Sequence, residues 1–236
     1  MKQMGKSMDY IISDIHGEFD LFIKLLKTIN FTENDKMIIC GDIIDKGPNS
    51  IKLLKYIKNK SNMIFLLGNH EYEFLKYYTK VMSEVEDGFN SDEVLTKLNN
   101  YFPKEVDLLT WEDINFLEDA PFYYESSDYI CVHAGVKLNE NKEIIDLNKI
   151  DVNTFLYDRR TKEETFEIKN SKCVFYGHTP TSYICNEPKI LAYCRPNITK
   201  PYSIKSFYKI HLDCGVYLNK VLSCFCIDTC KCIYVK

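Results

Sequence analysis

The 236-residue chain has no apolar stretch near the roughly 20 residues that a membrane-crossing helix needs; its longest apolar runs, residues 63–67 and 221–227, fall far short. Residues 1–9 are short and polar and carry no apolar signal-peptide core. The expected location is therefore cytoplasmic, with no membrane partner. Basic charge is not in excess either: 30 Lys and Arg stand against 34 Asp and Glu, for a net charge of −4. Binding through a phosphate backbone needs a concentrated surplus of cations, so nucleic acid is not an expected partner. No internal repeat is present, and 45% apolar with 27% charged residues is an ordinary globular balance, so one domain over residues 1–236 is the expectation. The ten cysteines would suggest disulfides in a small secreted chain, but without an export signal they read as reduced thiols.

Three times in the first eighty residues an apolar, β-prone run leads into a motif loop and then a helical pattern. Residues 8–13 precede the amphipathic stretch 18–29, residues 37–40 precede a helix starting near Pro48, and residues 63–67 precede a helix around 74–81. Such a series implies parallel strands with right-handed crossovers. Residues 83–120 read as a charged, helical, cap-like segment with Trp111, Ile114 and Leu117 at helical spacing. Beyond Pro121 the pattern changes to short strands at 122–125, 129–133, 173–176, 207–212, 221–227 and 232–235, with a long polar loop at 192–206. The expected fold class is α/β: two mixed β-sheets in a central sandwich flanked by helices.

Histidine is scarce, and its placement is informative. Of only five histidines, four sit in glycine-containing segments directly after expected strands: Asp14-Ile15-His16-Gly17, Gly68-Asn69-His70-Glu71, His133-Ala134-Gly135 and Gly177-His178-Thr179. The segment Gly41-Asp42-Ile43-Ile44-Asp45-Lys46-Gly47-Pro48 adds carboxylates in the same context. Loops at the carboxyl ends of parallel strands converge, so all five segments can face one cleft. A lone strand-end histidine is usually an ordinary hydrogen-bonded residue; five such segments in series are not explained that way. Asp, Asn and neutral His form a mixed oxygen and nitrogen donor set that suits manganese, iron or zinc, manganese foremost, and suits copper(I) or calcium poorly. On an extended strand end Asp14 and His16 point the same way and can grip one ion, whereas the neighbours Asn69 and His70 point apart.

These segments resemble the signature of the PPP-type, calcineurin-like metallophosphoesterases, a family that includes serine/threonine protein phosphatases of bacterial and bacteriophage type and symmetrical bis(5′-nucleosyl)-tetraphosphatases. The likeness runs from Asp14 to about Gly215. It implies two divalent ions, one held by Asp14, His16 and a bridging Asp42, the other by Asp42, Asn69, His133 and His178. A pair of ions about 3.5 to 4 Å apart lowers the pKa of a shared water, and the bridging hydroxide attacks phosphorus in line. By the same likeness His70 is the general acid, Asp45 orients it, and Lys46, Asn69 and Arg159 bind phosphate, with Arg160 as the alternative register for Arg159. Two departures concern the substrate. Lys46 stands where the protein phosphatases carry arginine, keeping the charge without the planar fork, and Leu67 stands where they commonly carry arginine before Gly-Asn-His. Leu67 resembles the nucleosyl-tetraphosphatases, and Asp45 the protein phosphatases. The leading expectation is a metal-dependent serine/threonine phosphoprotein phosphatase acting on a phosphoprotein or phosphopeptide; the alternative is hydrolysis of a diadenosine polyphosphate.

Other features have plainer readings. Cys224, Cys226, Cys230 and Cys232 can supply a zinc site, but period-two spacing around Asp228 and Thr229 fits a β-hairpin with small apolar residues on one face. Cys214 falls in a stretch that the family places near the site, His211 reads as structural, and Arg195 and Lys200 read as solvated. Tyr72, Phe74, Tyr77 and Tyr78 read as helix packing.

Overall fold

Strands β1 (Asp9–Ile12), β2 (Lys36–Ile39) and β3 (Met63–Phe65) lie side by side and parallel, with Ile11 opposite Ile38 and Ile38 opposite Ile64. The computed structural model describes residues 6–86, 109–169, 172–198 and 203–236, so most of the expected cap segment, and Lys200, lie outside the described residues. Strands β9 (Leu222–Cys226) and β10 (Lys231–Val235) extend this first sheet antiparallel, in the order β10-β9-β1-β2-β3. The second sheet has the order β4-β5-β6-β8-β7, from Tyr123–Glu125, Tyr129–Val132, Cys173–Tyr176, Phe207–His211 and Leu191–Cys194. Its inner pairs β5-β6 and β6-β8 are parallel and its edges antiparallel.

The sheets face each other across an apolar layer in which Ile11, Ile38 and Leu66 meet Cys131, Phe175 and Ile210. Period-two alternation sends Tyr10, Ile12, Met37 and Ile39 to the opposite face, where helices α1 (Phe19–Thr28), α2 (Ser50–Lys58) and α3 (Asn69–Glu86) cover them. α4 (Trp111–Glu118) closes that layer. Its N-terminus is fixed by the buried Asp113, which accepts from the Thr110 amide (3.0 Å) and from Lys58. Short helices α5 (Val152–Tyr157), α6 (Ser182–Cys185) and α7 (Val216–Asn219) follow. Among the described residues no helix is long and apolar enough to cross a membrane.

Several expectations are corrected. The stretch 192–206 is not a plain loop: it contains most of β7 and a 3₁₀ turn at Ile204–Ser206. Arg195 is not free in solvent but donates to the carbonyl of Lys205 (2.9 Å). α3 begins at Asn69 rather than near residue 74, because Gly68 ends the loop and Glu71 bonds back to the Gly68 amide (3.1 Å). The cysteine hairpin forms, with Cys226 opposite Lys231, but its thiols do not share a face. Cys224 and Cys226 pack under the helices, while Cys232 stands opposite Phe225 on the other side. The aromatic cluster on α3 packs as expected, with Phe74 buried and Tyr78 edge-on to Trp111.

Candidate dinuclear metal site

All five motif segments emerge at the carboxyl ends of parallel strands: β1, β2 and β3 of the first sheet, β5 and β6 of the second. The chain leaves these strands abruptly. Asp14, His16, Asp42, Asp45, Lys46 and His178 all have positive φ, between 45° and 71°. Non-glycine residues rarely adopt this conformation, and its concentration here is strain held by the surrounding packing. It also corrects the expectation for Asp14 and His16. They converge through two left-handed turns beyond the end of β1, not through strand alternation. Asn69 and His70 likewise do not point apart; successive positions on the first turn of a helix are about 100° apart, and both side chains reach the cleft. Close approach of the loops requires glycine: a Cβ on Gly177 would lie 2.0 Å from Asp14 Oδ2, and one on Gly68 would lie 2.2 Å from Asp42 Oδ1.

Asp42 occupies the centre. Its Oδ2 lies 3.7 Å from His16 Nε2 and 3.8 Å from His70 Nε2, and its Oδ1 lies 3.6 Å from His133 Nε2. On the second-sheet side His133 Nε2, His178 Nδ1 and Asn69 Oδ1 lie 2.9 to 3.2 Å from one another. Donors held about 2.1 Å from one ion, at 90 to 110° to each other, stand roughly 3.0 to 3.4 Å apart, so these separations are close to the edges of coordination polyhedra. Two groupings of acidic and imidazole donors, His16 with Asp42 and His70 and Asp14 with Asp42 and His133, each gather within 4.8 Å and share Asp42.

Two of the imidazoles are oriented by backbone carbonyls. His16 Nδ1 donates to the Ile44 carbonyl (3.0 Å) and His133 Nδ1 to the Cys40 carbonyl (2.8 Å), which turns each Nε2 towards the cleft. Burial, reinforced by Lys46 and His70, holds the His16 pKa well below the usual imidazole range. Burial and then His133 push His178 down to about 2, which keeps its ring neutral. Asp42 is driven the other way, above the usual carboxylate range, first by burial and then, against the pull of His70, by Asp14 and Glu71. Buried carboxylates beside neutral imidazoles are stable when a cation joins them, and a bound divalent ion inverts the effect of burial on such groups. The Lys46 ammonium already points at this donor set, 2.9 Å from His16 Nε2.

The remaining expected residues fall into place around this centre. His70 Nδ1 donates to Asp45 Oδ2 at 2.7 Å, leaving Nε2 facing the cleft. Burial disfavours the imidazolium, but the Asp45 hydrogen bond and the charge of Asp42 outweigh it and raise the His70 pKa; the same bond lowers that of Asp45. Arg159 is exposed and close enough for its charge to act on His178, whereas Arg160 folds back onto Asp158 (3.1 Å). Leu67 is buried in the apolar layer beneath the helices. Cys214 is also buried, and burial pushes its thiol up to about 12, which makes it a poor nucleophile.

Two groups escaped the sequence reading. Glu71 lies inside the quoted Gly-Asn-His-Glu motif, yet its work is internal: it accepts from the amides of Asp42 (2.9 Å), Ile43 (2.8 Å) and Ile44 (3.0 Å), tying the second motif loop to the third. Tyr157 donates to Glu73, one helical turn beyond His70, and its ring stands edge-on to His178 at 6.4 Å. Nothing in a Tyr-Asp-Arg-Arg string points to that partner.

The sandwich and its convergent donors are those of a metallophosphoesterase, and the comparisons agree. Residues 10–205 match the calcineurin-like phosphoesterase family, and the chain belongs to it. A symmetrical bis(5′-nucleosyl)-tetraphosphatase of Wigglesworthia glossinidia brevipalpis is 36% identical over 131 residues, 54% of this chain and 44% of that protein. An asymmetrical bis(5′-nucleosyl)-tetraphosphatase of Bacillus velezensis is 24% identical over 192 residues, 72% of this chain and 76% of that one. The chain thus spans less than half the length of the symmetrical relative. Among solved structures, a candidate diadenosine tetraphosphatase superposes with a TM-score of 0.66 at 17% identity, covering 99% of this chain and 95% of that one. A serine/threonine phosphatase of Saccharomyces cerevisiae superposes with a TM-score of 0.53 at 12% identity, covering 98% of this chain and 80% of that one. These likenesses establish the fold. The relatives' names favour the nucleotide alternative over the phosphoprotein reading.

Proposed function

We propose that this phosphoesterase hydrolyses a dinucleoside polyphosphate, with Asp14, His16 and Asp42 holding one divalent ion and Asp42, Asn69, His133 and His178 the other. The observation that carries the hydrolytic reading is the position of Asp42, whose two oxygens face separate donor groups. Two cations held by these residues would supply water of lowered pKa and would neutralise charge on the oxygens of an in-line displacement at phosphorus. Asn69, Lys46 and Arg159 hold the phosphoryl oxygens, Lys46 as a mobile point charge and Arg159 as a planar fork. His70, whose protonated form the Asp45 hydrogen bond favours, gives its Nε2 proton to the departing oxygen. The nucleotide assignment is supported by the tetraphosphatases of similar sequence and by Leu67, whose buried side chain supplies no phosphate contact.

One observation favours phosphoprotein as a second substrate class: the His70 and Asp45 acid suits an alkoxide, which leaves poorly without a proton, better than a phosphate, which leaves readily. Turnover of diadenosine tetraphosphate and of a phosphoserine peptide by the manganese-loaded protein separates the two. Preference for the dinucleotide by at least about tenfold in kcat/KM is expected; hydrolysis of the peptide alone would reject the first reading. His70→Asn is expected to slow the alkyl phosphate by roughly 10² to 10⁴ in kcat and the dinucleotide far less.

A further inference from the structure

Lys209 is a lysine with no exposed surface, in the middle of β8. Charged residues are almost never fully buried unless something demands it, and among the described residues no carboxylate is bonded to this one. A β-bulge explains how it got there. Tyr193 of β7 pairs with Lys209 while Cys194 pairs with Phe207, so both Tyr208 and Lys209 turn to the outer face of the second sheet. Its Nζ lies 4.5 Å from the centre of the Tyr193 ring and donates to two backbone carbonyls, Thr161 (3.0 Å) and Glu163. Both carbonyls belong to the segment that follows Arg159 and Arg160.

That segment is bound at each end. Asp158 Oδ2 accepts from the Thr161 amide (2.8 Å) and hydroxyl (2.7 Å), closing a tight turn with Arg159 and Arg160 at its tip. The turn rests against the His133 loop: Thr161 Oγ1 accepts from the Val136 amide (3.3 Å), and a Cβ on Gly135 would lie 2.4 Å from that same oxygen. Tyr157 holds the near side through Glu73. The buried ammonium is the anchor on the far side; without it the Thr161 carbonyl would lose its donor, and the Glu163 carbonyl would keep only the bond from the Phe166 amide (3.0 Å) within its own turn.

We infer that Lys209 is a positioning residue for phosphate binding: its ammonium clamps residues 161–163 to the second sheet and so holds the Asp158–Thr161 turn in the conformation that aims Arg159 at the phosphoryl oxygens. The inference rests on the proposed role of Arg159. A charged clamp also carries a pH signature. Burial, opposed by the charges of Glu163 and Glu164, brings the Lys209 pKa down to about 8. The other titratable groups facing it are Tyr193 of β7 and Tyr208 of its own strand, both held above the usual phenol range by burial, while His211 nearby is kept neutral by burial at about 3. Lys209 is therefore the group of this cluster that changes charge just above neutrality, and a neutral amine grips the two carbonyls more weakly.

Two measurements test this. Amide hydrogen exchange across 158–166 in metal-free Lys209→Met, compared with β1 and β2 as internal references, reads the clamp without any turnover. At least about tenfold faster exchange confined to the segment is expected; unchanged exchange would overturn the clamp even if the protein proved inactive. Kinetics with p-nitrophenyl phosphate, whose good leaving group makes no demand on His70, then read the link to Arg159. Lys209→Met and Arg159→Ala should each lower kcat/KM, chiefly through KM, and the double variant should be no worse than Arg159→Ala alone. The wild-type fall in kcat/KM above about pH 8 should vanish in Arg159→Ala, a comparison that needs no Lys209 variant to fold, and Lys209→Arg should keep activity at high pH. Additive losses, or an alkaline limb that survives Arg159→Ala, would reject the inference. Unaltered activity of Arg159→Ala would instead remove the role proposed for that arginine.

Discussion

The side chains with the most demanding positions are not all the ones that touch substrate. Glu71 makes no contact with the cleft, yet its two oxygens accept four amides across two loops, from Asp42, Ile43, Ile44 and Gly68. Glu71→Gln replaces one acceptor by an NH₂ aimed at amide donors. This should cost about 2 to 3 kcal/mol, read as a lower urea midpoint with the m-value unchanged. His70 is tuned by its neighbour in a way that kinetics can read. The Asp45 hydrogen bond raises its pKa, so the proton-donating form exists below that raised value and is lost as pH climbs through it. In Asp45→Asn the alkaline fall in kcat for an alkyl phosphate should set in at lower pH, and a fall that stayed in place would show that Asp45 does not tune His70. Leu67 was legible as an absence, a missing cation, whereas Glu71 and Lys209 were not legible at all. A glutamate in a motif and a lysine between Tyr208 and Ile210 reveal their burial only once the partner loops are in place.

Among the elements, the strands and helices with strong periodicity were readable from the chain, and the junctions between them were not. β1, β2 and β3 are short, mostly apolar runs with isoleucine in each, and α1 carries an apolar stripe, so both announce themselves. The start of α3 at Asn69 was hidden because Gly68 signals a loop and the capping partner, Glu71, is only recognisable in three dimensions. β7 was hidden by its half-exposed, polar-flanked sequence, and the left-handed turns at Asp14 and His16 leave no mark on residue identity. Convergence of the five motif loops was nevertheless predictable, since it follows from strand direction rather than from any single turn. One junction gives a direct test. At Gly177, where β6 runs into the His178 loop, Gly177→Ala would push a methyl into Asp14 Oδ2. A manganese affinity lower by roughly 10- to 100-fold is expected in a calorimetric titration, in line with the effect of disturbing groups that support metal ligands.

At the scale of the molecule, the proposed donors are divided between the two sheets: Asp14, His16 and Asp42 come from loops of the first and Asn69 from the start of α3 beyond β3, while His133 and His178 come from the second. Ions held by both sets would join the layers as well as serve the reaction. Removing divalent ions with a chelator should lower the melting temperature along with activity. At a hundredfold excess of ion over its Kd, each bound ion adds about 2.7 kcal/mol, or roughly 5 to 10 °C for a chain of this size, and readdition of manganese should restore both stability and activity. An unchanged melting temperature would mean that the donors do not bind ions in the folded state. The order of strands adds a consequence for biosynthesis. β1 is translated early, but its neighbour on one side is β9, and Ile11 waits for Phe225. Every proposed ligand has therefore been translated before the sheet that seats Asp14 is complete. Contacts so distant along the chain form slowly. A ribosome-bound fragment that already carries all of the ligands but not β9 still lacks the wall behind them, so catalytic competence has to wait for that strand.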